Sequence, residues 1–415
     1  MDDLTKYTAD PVHFTGTTEN FNQDMKNDSQ RMRLQRKLIK ASIEDKVSLS
    51  SALRSNGLTY DDLQYEDNAR PNYSNQKHFT LDDFRTAPSG IPMVSFFSGA
   101  GGLDLGFEAL GFDHQLLVEK IPLFCETLRF NRPKWAVSSG DVSNKDDMVE
   151  QVSKHIGAGQ FDGVFVGGPP CQSFSIAANQ RFSRNGENFK RTGFSHETNG
   201  NLLFDYIALI KHFKPRAFLI ENVPGLMELD NGEQLATVCA ELEAAGYTVN
   251  PPEILVASNY RIPQQRQRLF VIGSRTGKQF QPLDRSSESL DCGAIFEQSL
   301  EGVENHVTRA HSAESVARYM KLKYGARDQL GRVDRLNPSK PSKTIIAGGN
   351  AGGGRSHLHP YIPRTLSVRE SARIQTFPDD YVFKGPVARQ FTQVGNAVPP
   401  VLAAQLAKAI KTSFF

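Results

Sequence analysis

Cys171 has the setting that most invites chemistry. It stands in FDGVFVGGPPCQSFS (161–175), where the apolar run 164–166 reads as a buried strand and Gly167, Gly168, Pro169 and Pro170 stop it abruptly. A cysteine just past a strand end lies where open α/β sheets place reacting groups. The two prolines restrict the backbone leading to it, and Gln172, Ser173 and Ser175 offer local hydrogen bonds. Most cysteines of intracellular proteins are small buried hydrophobes; one presented on a Gly-Gly-Pro-Pro turn is a candidate nucleophile. A second group, Glu221, ends the apolar run 217–220 ahead of Asn222, Val223 and Pro224, at the C-terminal edge of the same expected sheet. A strand-end glutamate can equally be a structural partner. Downstream, IPQQRQRLFVIG (262–273) spaces Gln264, Arg266 and Arg268 at alternate positions, and period two would set all three on one face of an edge strand.

These groups need a scaffold, and its pattern begins at Pro92. MVSFF (93–97) is a strand candidate, Gly99, Gly101 and Gly102 follow, and Leu103, Phe107 and Leu110 fit one helical face. Such a loop is either an ordinary tight turn or a place where a nucleotide-like cofactor approaches backbone near a helix N-terminus. The next strand (115–118) ends at Glu119, where a carboxylate can grip a ribose diol. Asp141, after Ser139 and Gly140, ends a possible third strand and would meet the base of the same cofactor. Strand, glycine loop, helix, strand and acid form a dinucleotide-type signal, although each part alone is weak. The polar segment 176–201 carries Arg181, Arg184, Lys190 and Arg191; a loop this long is either a functional lid or disordered, and a basic lid would suit a polyanion. Helices are expected at 202–213 and 232–245. Further cations (Arg309, Arg318, Lys321, Lys323, Arg327) form either a solvated face or phosphate contacts. Ser367 with Glu370 predicts a capped helix to Gln375, and QVGNAVPP (393–400) reads as a turn before a helix from Pro400.

At 415 residues, 39% hydrophobic and 23% charged, the chain suits a globular protein of two or three domains. Its four cysteines are widely spaced, which indicates neither a disulfide framework nor a zinc site. A polar N-terminus and the lack of a membrane-length apolar run point to the cytoplasm, with no membrane partner. The net charge of +2 means that nucleic-acid binding must come from local patches. Residues 1–90 are polar; helices at 28–46, 48–55 and 59–65 would form a module that packs on the main domain or, less readily, a helix-turn-helix. Residues 70–90 read as a linker.

In six blocks taken in order, the chain from about 93 to 415 resembles the DNA (cytosine-5) methyltransferases of bacterial restriction–modification systems. The blocks are FFSGAGGLDLGF, GGPPCQSFS, ENVPGL, QQRQR, RLNPSKPSKTI and QVGNAVPP. The resemblance implies an α/β fold, a Rossmann-like, mostly parallel sheet with helices on both faces, plus a smaller DNA-recognition domain and the helical N-terminal extension. Boundaries are expected at 1–90 (extension), 91–275 (catalytic), 276–376 (target recognition) and 377–415 (completing the catalytic domain). It implies Cys171 as nucleophile, Glu221 as the glutamate of the Glu-Asn-Val block, and Arg268 on the target base, supported by Gln264 and Arg266. Phe97, Gly99, Gly102, Glu119, Asp141, Leu202 and Asn396 fall at positions that contact S-adenosyl-L-methionine (AdoMet); no metal is implied. The expected partner is double-stranded DNA, whose cytosine is flipped out for methylation. A cognate restriction endonuclease would share the site, the enzyme would act as a monomer, and DNA would hold it at the nucleoid.

Three departures accompany the likeness. The segment after Cys171 is long and has Asn199 where the family commonly has arginine, the recognition segment is short, and residues 1–90 lie outside. The rivals are a tRNA cytosine-5 methyltransferase and a DNA-binding regulator acting through the N-terminal helices.

Overall fold

The computed structural model describes residues 12–13, 28–71, 79–170, 202–347 and 357–415. They fall into two compact units, one formed by Phe79–Ile262, Arg266–Glu288 and Ala397–Phe415, the other by the chain up to His78 together with Pro263–Gln265 and Ser289–Asn396.

The first unit is built on an eight-stranded sheet. Its strands are β1 (Pro92–Phe96), β2 (Asp113–Val118), β3 (Val137–Ser138), β4 (Val164–Gly167), β5 (Ala217–Asn222), β6 (Thr248–Val249), β7 (Glu253–Val256) and β8 (Gln267–Ser274). The order is β3-β2-β1-β4-β5-β8-β6, with β7 also paired to β8. The first five strands run parallel and β8 lies antiparallel to β5, Ala217 opposite Ser274 and Asn222 opposite Leu269. Strands covered on both faces read as unbroken apolar runs, and all four residues of β4 are buried. Helices α1 (Gly102–Ala109), α2 (Pro122–Asn131), α3 (Lys145–Ile156), α4 (Leu202–Phe213), α5 (Glu233–Ala244) and α6 (Pro400–Phe414) belong to this unit. Phe96, Phe165, Tyr206, Phe213 and Phe218 share its core.

Several expectations are corrected here. β8 is paired on both sides, so it is no edge strand, and it starts at Gln267, after Gln264 and Arg266. β3 ends at Ser138, three residues before Asp141. The supposed linker contains a 3-10 turn at Leu81–Phe84 that buries Leu81, and Thr86 and Ser89 donate backbone N–H bonds to Ala109 and Gly111 at 2.9 and 2.8 Å. Residues 79–90 are a packed flank of this sheet unit.

In the second unit, helices Asp28–Glu44 and Leu49–Arg54 and the 3-10 turn Tyr60–Asp62 share an apolar cluster with helix Ala313–Tyr319 through Leu38, Ile39, Leu53, Val316 and Met320. Helix Val368–Ile374 carries the expected capping box, Ser367 with Glu370. Residues 393–396, expected in a turn, finish a helix, Val387–Asn396.

Chain order reverses between β1 and β4, so the loops after both strands leave the C-terminal edge on either side of one crevice, where open sheets bind ligands. The helix that follows the loop after β1 packs on α6. A Cβ on Gly106 would stand 2.4 Å from the Ala404 backbone nitrogen, so α1 and α6 meet backbone to backbone. Helix propensity alone would favour Gly106→Ala by about 1 kcal/mol, but overpacking a close contact costs about 1–3 kcal/mol. The clash should win: Gly106→Ala should unfold at lower urea than the parent, and an equal or higher midpoint would show that the helices move apart freely.

Candidate functional site

The loop after β1 is tightly wound. Phe97, Gly99 and Gly101 have φ of 55°, 57° and 76°, the left-handed region that glycine enters freely and phenylalanine does not. This winding turns the Gly99 N–H onto Glu119 Oε2 at 2.8 Å, while Ile121 N–H reaches Oε1 at 2.8 Å. Glu119 thus sits at the end of β2 with its carboxylate anchored by backbone. Burial pushes its pKa up against those backbone donors. Each oxygen keeps lone-pair capacity for a further hydroxyl donor.

Asp141 is half-buried and accepts from Lys120 Nζ at 2.6 Å and from the Ser143 hydroxyl at 2.8 Å. Burial alone would raise its pKa, but Lys120 and Ser143 bring it below the usual value. Phe97 sets its ring edge-on to Tyr206 at 6.1 Å, and Leu202 opens α4 within the core. Gly102 has a packing reason to be glycine, since a Cβ there would lie 2.3 Å from the Val398 carbonyl oxygen. Asn396 is exposed at the end of helix Val387–Asn396, in the second unit. The structure therefore gathers Phe97, Gly99, Glu119 and Asp141 along one edge of the parallel sheet.

Glu221 occupies the end of β5, and the turn after β4 is shaped to fit it. A Cβ on Gly168 would stand 2.8 Å from Glu221 Oε2, and one on Gly167 would stand 2.9 Å from the Tyr206 ring. Both glycines are thereby explained by what lies over them. Asn222 Nδ2 then donates to the Pro169 carbonyl at 3.2 Å, while its Oδ1 accepts from Val223 N–H at 2.8 Å. Asn222 thus ties the Gly-Gly-Pro-Pro turn by one hydrogen bond while the Glu221 carboxylate lies over Gly168, a role for Asn222 that the sequence signals only through its place beside Glu221. Cys171 itself, with Gln172, Ser173, Ser175 and the basic segment 176–201, lies outside the described residues.

Arg268 reaches Glu221 diagonally across the β5–β8 pair, Nε to Oε1 at 2.8 Å. Burial raises the Glu221 pKa, with Arg268 and then Arg266 pulling against it. Arg266 is 1% exposed; burial, then the like charge of Arg268, press its pKa well below the usual value, and Glu221 opposes them. Gln264 departs from the expected row. It is fully buried, with its amide bonded to Gln375 Oε1 at 2.8 Å and to Ile345 N–H at 2.9 Å, all within the second unit. Its amide ties two segments of that unit together and does not share a strand face with Arg268. Among the described residues no group of His, Cys, Asp or Glu could hold a metal ion, and no helix is long and apolar enough to cross a membrane.

Comparison with known proteins identifies the family. The C-5 cytosine-specific DNA methylase family model covers residues 91–412. The type II methyltransferase M.PspPI of Psychrobacter sp. (strain TA137) is 35% identical over 346 residues, 77% of this chain and 78% of that protein. The Escherichia coli type II methyltransferase M.Eco47II is 31% identical over 357 residues, 79% of this chain and 81% of its own. The fold is also that of an E. coli prophage protein provisionally assigned as a DNA modification methyltransferase, at a TM-score of 0.63 and 23% identity, covering 78% of this chain and 99% of the other. With a strand-end carboxylate beside a left-handed glycine loop, a Glu–Arg pair over the Gly-Gly-Pro-Pro turn and this family match across most of its length, the chain belongs to the C-5 cytosine-specific DNA methylases and is a DNA (cytosine-5)-methyltransferase.

Proposed function

We propose that the chain methylates C5 of a cytosine turned out of a short, specific duplex DNA site, through addition of Cys171 to C6, and so protects DNA from a cognate restriction endonuclease. The carrying observation is the Glu221–Arg268 pair, held over the turn that leads into Cys171. Methylation by AdoMet fits the other corner. Glu119, with lone pairs left over, suits a ribose diol, and the Gly99 loop and the Phe97 edge suit a nucleoside lying close to backbone. When bound there, AdoMet supplies an electrophilic sulfonium methyl group. Asp141, Leu202, Gly102 and Asn396 complete the proposed set on the strength of their motif positions. Target reading falls to residues 276–376, and the catalytic role to 91–275 with 377–415. The enzyme needs no second copy, because one chain carries every proposed role.

C5 of cytosine is too weak a nucleophile to take a methyl group unaided. The Cys171 thiolate forms a bond to C6, and the ring electrons shift through C5 and C4 to N3. A protonated Glu221 gives N3 its proton, which is why a raised pKa matters there. Arg268 neutralises charge growing at O2 and holds Glu221 in place. The electron pair restored at C5 takes the methyl group. Loss of H5 to a base then reforms the C5–C6 double bond, expels the thiolate and returns the N3 proton to Glu221. C6 is shielded in a stacked duplex, so the base must leave the stack first.

Duplex DNA of mixed sequence containing 5-fluorocytosine tests this reading. Fluorine blocks the last elimination, so a protein–DNA adduct should persist on a denaturing gel with AdoMet present and vanish in Cys171→Ser. Trapping on tRNA alone, or on neither, would overturn it. Glu221→Gln should lower kcat by roughly 10²- to 10⁴-fold, the range of acid–base assistance; unchanged kcat would remove Glu221 from the mechanism.

Its titration gives a further check. Because burial raises the folded-state pKa of Glu221, the native state holds this proton more tightly than the unfolded chain. Its contribution is full below the unfolded value and lost as pH rises through the folded one. Arg268→Gln removes a charge that opposes the rise, so the decline in urea midpoint should extend to higher pH than in the parent. A decline at lower pH would contradict the pairing.

A further inference from the structure

Residues 58–70 precede the family domain, which begins at residue 91, yet they are fastened to the segment 276–376 proposed to read DNA. Two buried arginines do the fastening. Arg364 gives Nη1 and Nη2 to the Glu370 carboxylate at 2.8 and 2.7 Å, and Nε and Nη2 to Asp61 Oδ1 at 2.7 and 2.6 Å. Glu370 meanwhile accepts from Ser367 N–H at 2.7 Å, so Asp61 is tied through Arg364 to the cap of helix Val368–Ile374. Arg335 lies between two tyrosine rings, 3.6 Å from the centroid of Tyr65 and 3.9 Å from that of Tyr324. Its guanidinium donates to the carbonyls of Asp67, Leu322 and Pro360 at 2.8, 2.6 and 2.8 Å. Tyr65 bonds the His359 carbonyl at 2.9 Å, and Tyr60 the His311 carbonyl at 2.8 Å.

Arg335 ends the strand Val333–Arg335, which pairs with Arg327–Asp328 to make a hairpin in a three-stranded sheet completed by His357–Leu358. With strands of two, three and two residues, that sheet is too small to hold its own orientation. Its tip is nonetheless firmly made. Asp328 accepts from Gly331 N–H at 2.6 Å and from Arg318 Nε at 3.1 Å, and Asp334 accepts from Arg327 and Lys343 at 3.2 and 3.1 Å. On it stands Leu330, 76% exposed, beside the cations Arg327 and Arg332. An apolar tip flanked by cations has the chemistry of a groove contact.

We propose that residues 58–70 are a positioning element for DNA recognition, with Tyr65, Asp67 and Asp61 clamping Arg335 and Arg364 so that hairpin 327–335 keeps the attitude in which it meets duplex DNA. The inference rests on the reading that segment 276–376 meets DNA. These residues share an apolar cluster and the Asp61–Arg364 ion pair with residues after 300, as a positioning element would.

The test uses the full-length chain, unmethylated plasmid DNA and labelled AdoMet. Tyr65→Leu removes the ring over Arg335, and Asp61→Asn removes one charge while keeping the shape. In each, KM for DNA should rise about tenfold with kcat and AdoMet affinity kept, the mark of lost uniform binding. Tyr65→Phe, which keeps the ring, should restore the parent KM. If KM for DNA in the folded fraction stays at the parent value while thermal stability falls, residues 58–70 only stabilise the fold and the proposal is overturned. A parent enzyme that methylates no plasmid cytosine would instead overturn the function itself, so the two failures are told apart.

Discussion

Glu221 carries a carboxyl group pulled in two directions, and the site is arranged around that tension. Burial favours the neutral acid; Arg268 at 2.8 Å, with Arg266 behind it, favours the anion. A carboxyl left in full solvent would stay ionised at neutral pH, and one fixed in a bidentate pair would hold its charge too firmly to donate a proton. The balance requires β8 to run antiparallel against β5, so that Arg268 arrives from the neighbouring strand. It also requires glycine at 168, because any side chain there would push against the carboxylate. Asn222 then locks that turn through the Pro169 carbonyl. A run of four small or rigid residues and a Glu-Asn pair are thus one device seen from two strands.

Much of this was legible in the residues. Apolar runs bounded by Gly, Pro and Asn marked β1, β4 and β5, the spacing of Ser367 and Glu370 marked a capped helix, and the left-handed glycine loop ended where Glu119 could receive its N–H. Period two misled in QQRQR. Alternation is compatible with a strand but does not require one, and Gln264 spends both ends of its amide on Gln375 and Ile345 before β8 begins. Residues 393–396 misled in the opposite sense, since the glycine and asparagine that suggest a turn close a helix. The roles of Gly102 and Gly168 were invisible for a plainer reason. What forbids a side chain there is the Val398 carbonyl in one case and the Glu221 carboxylate in the other, both distant in sequence.

The two units use different means of cohesion. The sheet unit rests on a continuous aromatic and aliphatic core, where Phe96, Phe165 and Tyr206 meet at ring distances of 5.1 and 5.2 Å. The other joins short elements through buried guanidinium groups; Arg369 donates to the carbonyls of Glu304, Pro378 and Tyr381 at 2.9, 2.8 and 2.7 Å. Hydrogen bonds of that kind are directional, so they specify the path of irregular chain where apolar contact would leave several packings nearly equal.

The backbone-close meeting of α1 with α6 also has a temporal side. Gly106 and Ala404 are neighbours in space but are joined to the nascent chain far apart in time. At ordinary translation speeds of about 5–20 residues per second, roughly 15–60 s separate their synthesis. Throughout that interval the glycine face of α1 waits without its partner, beside an otherwise growing sheet. The contact between α1 and α6 is therefore among the last that the growing chain can make.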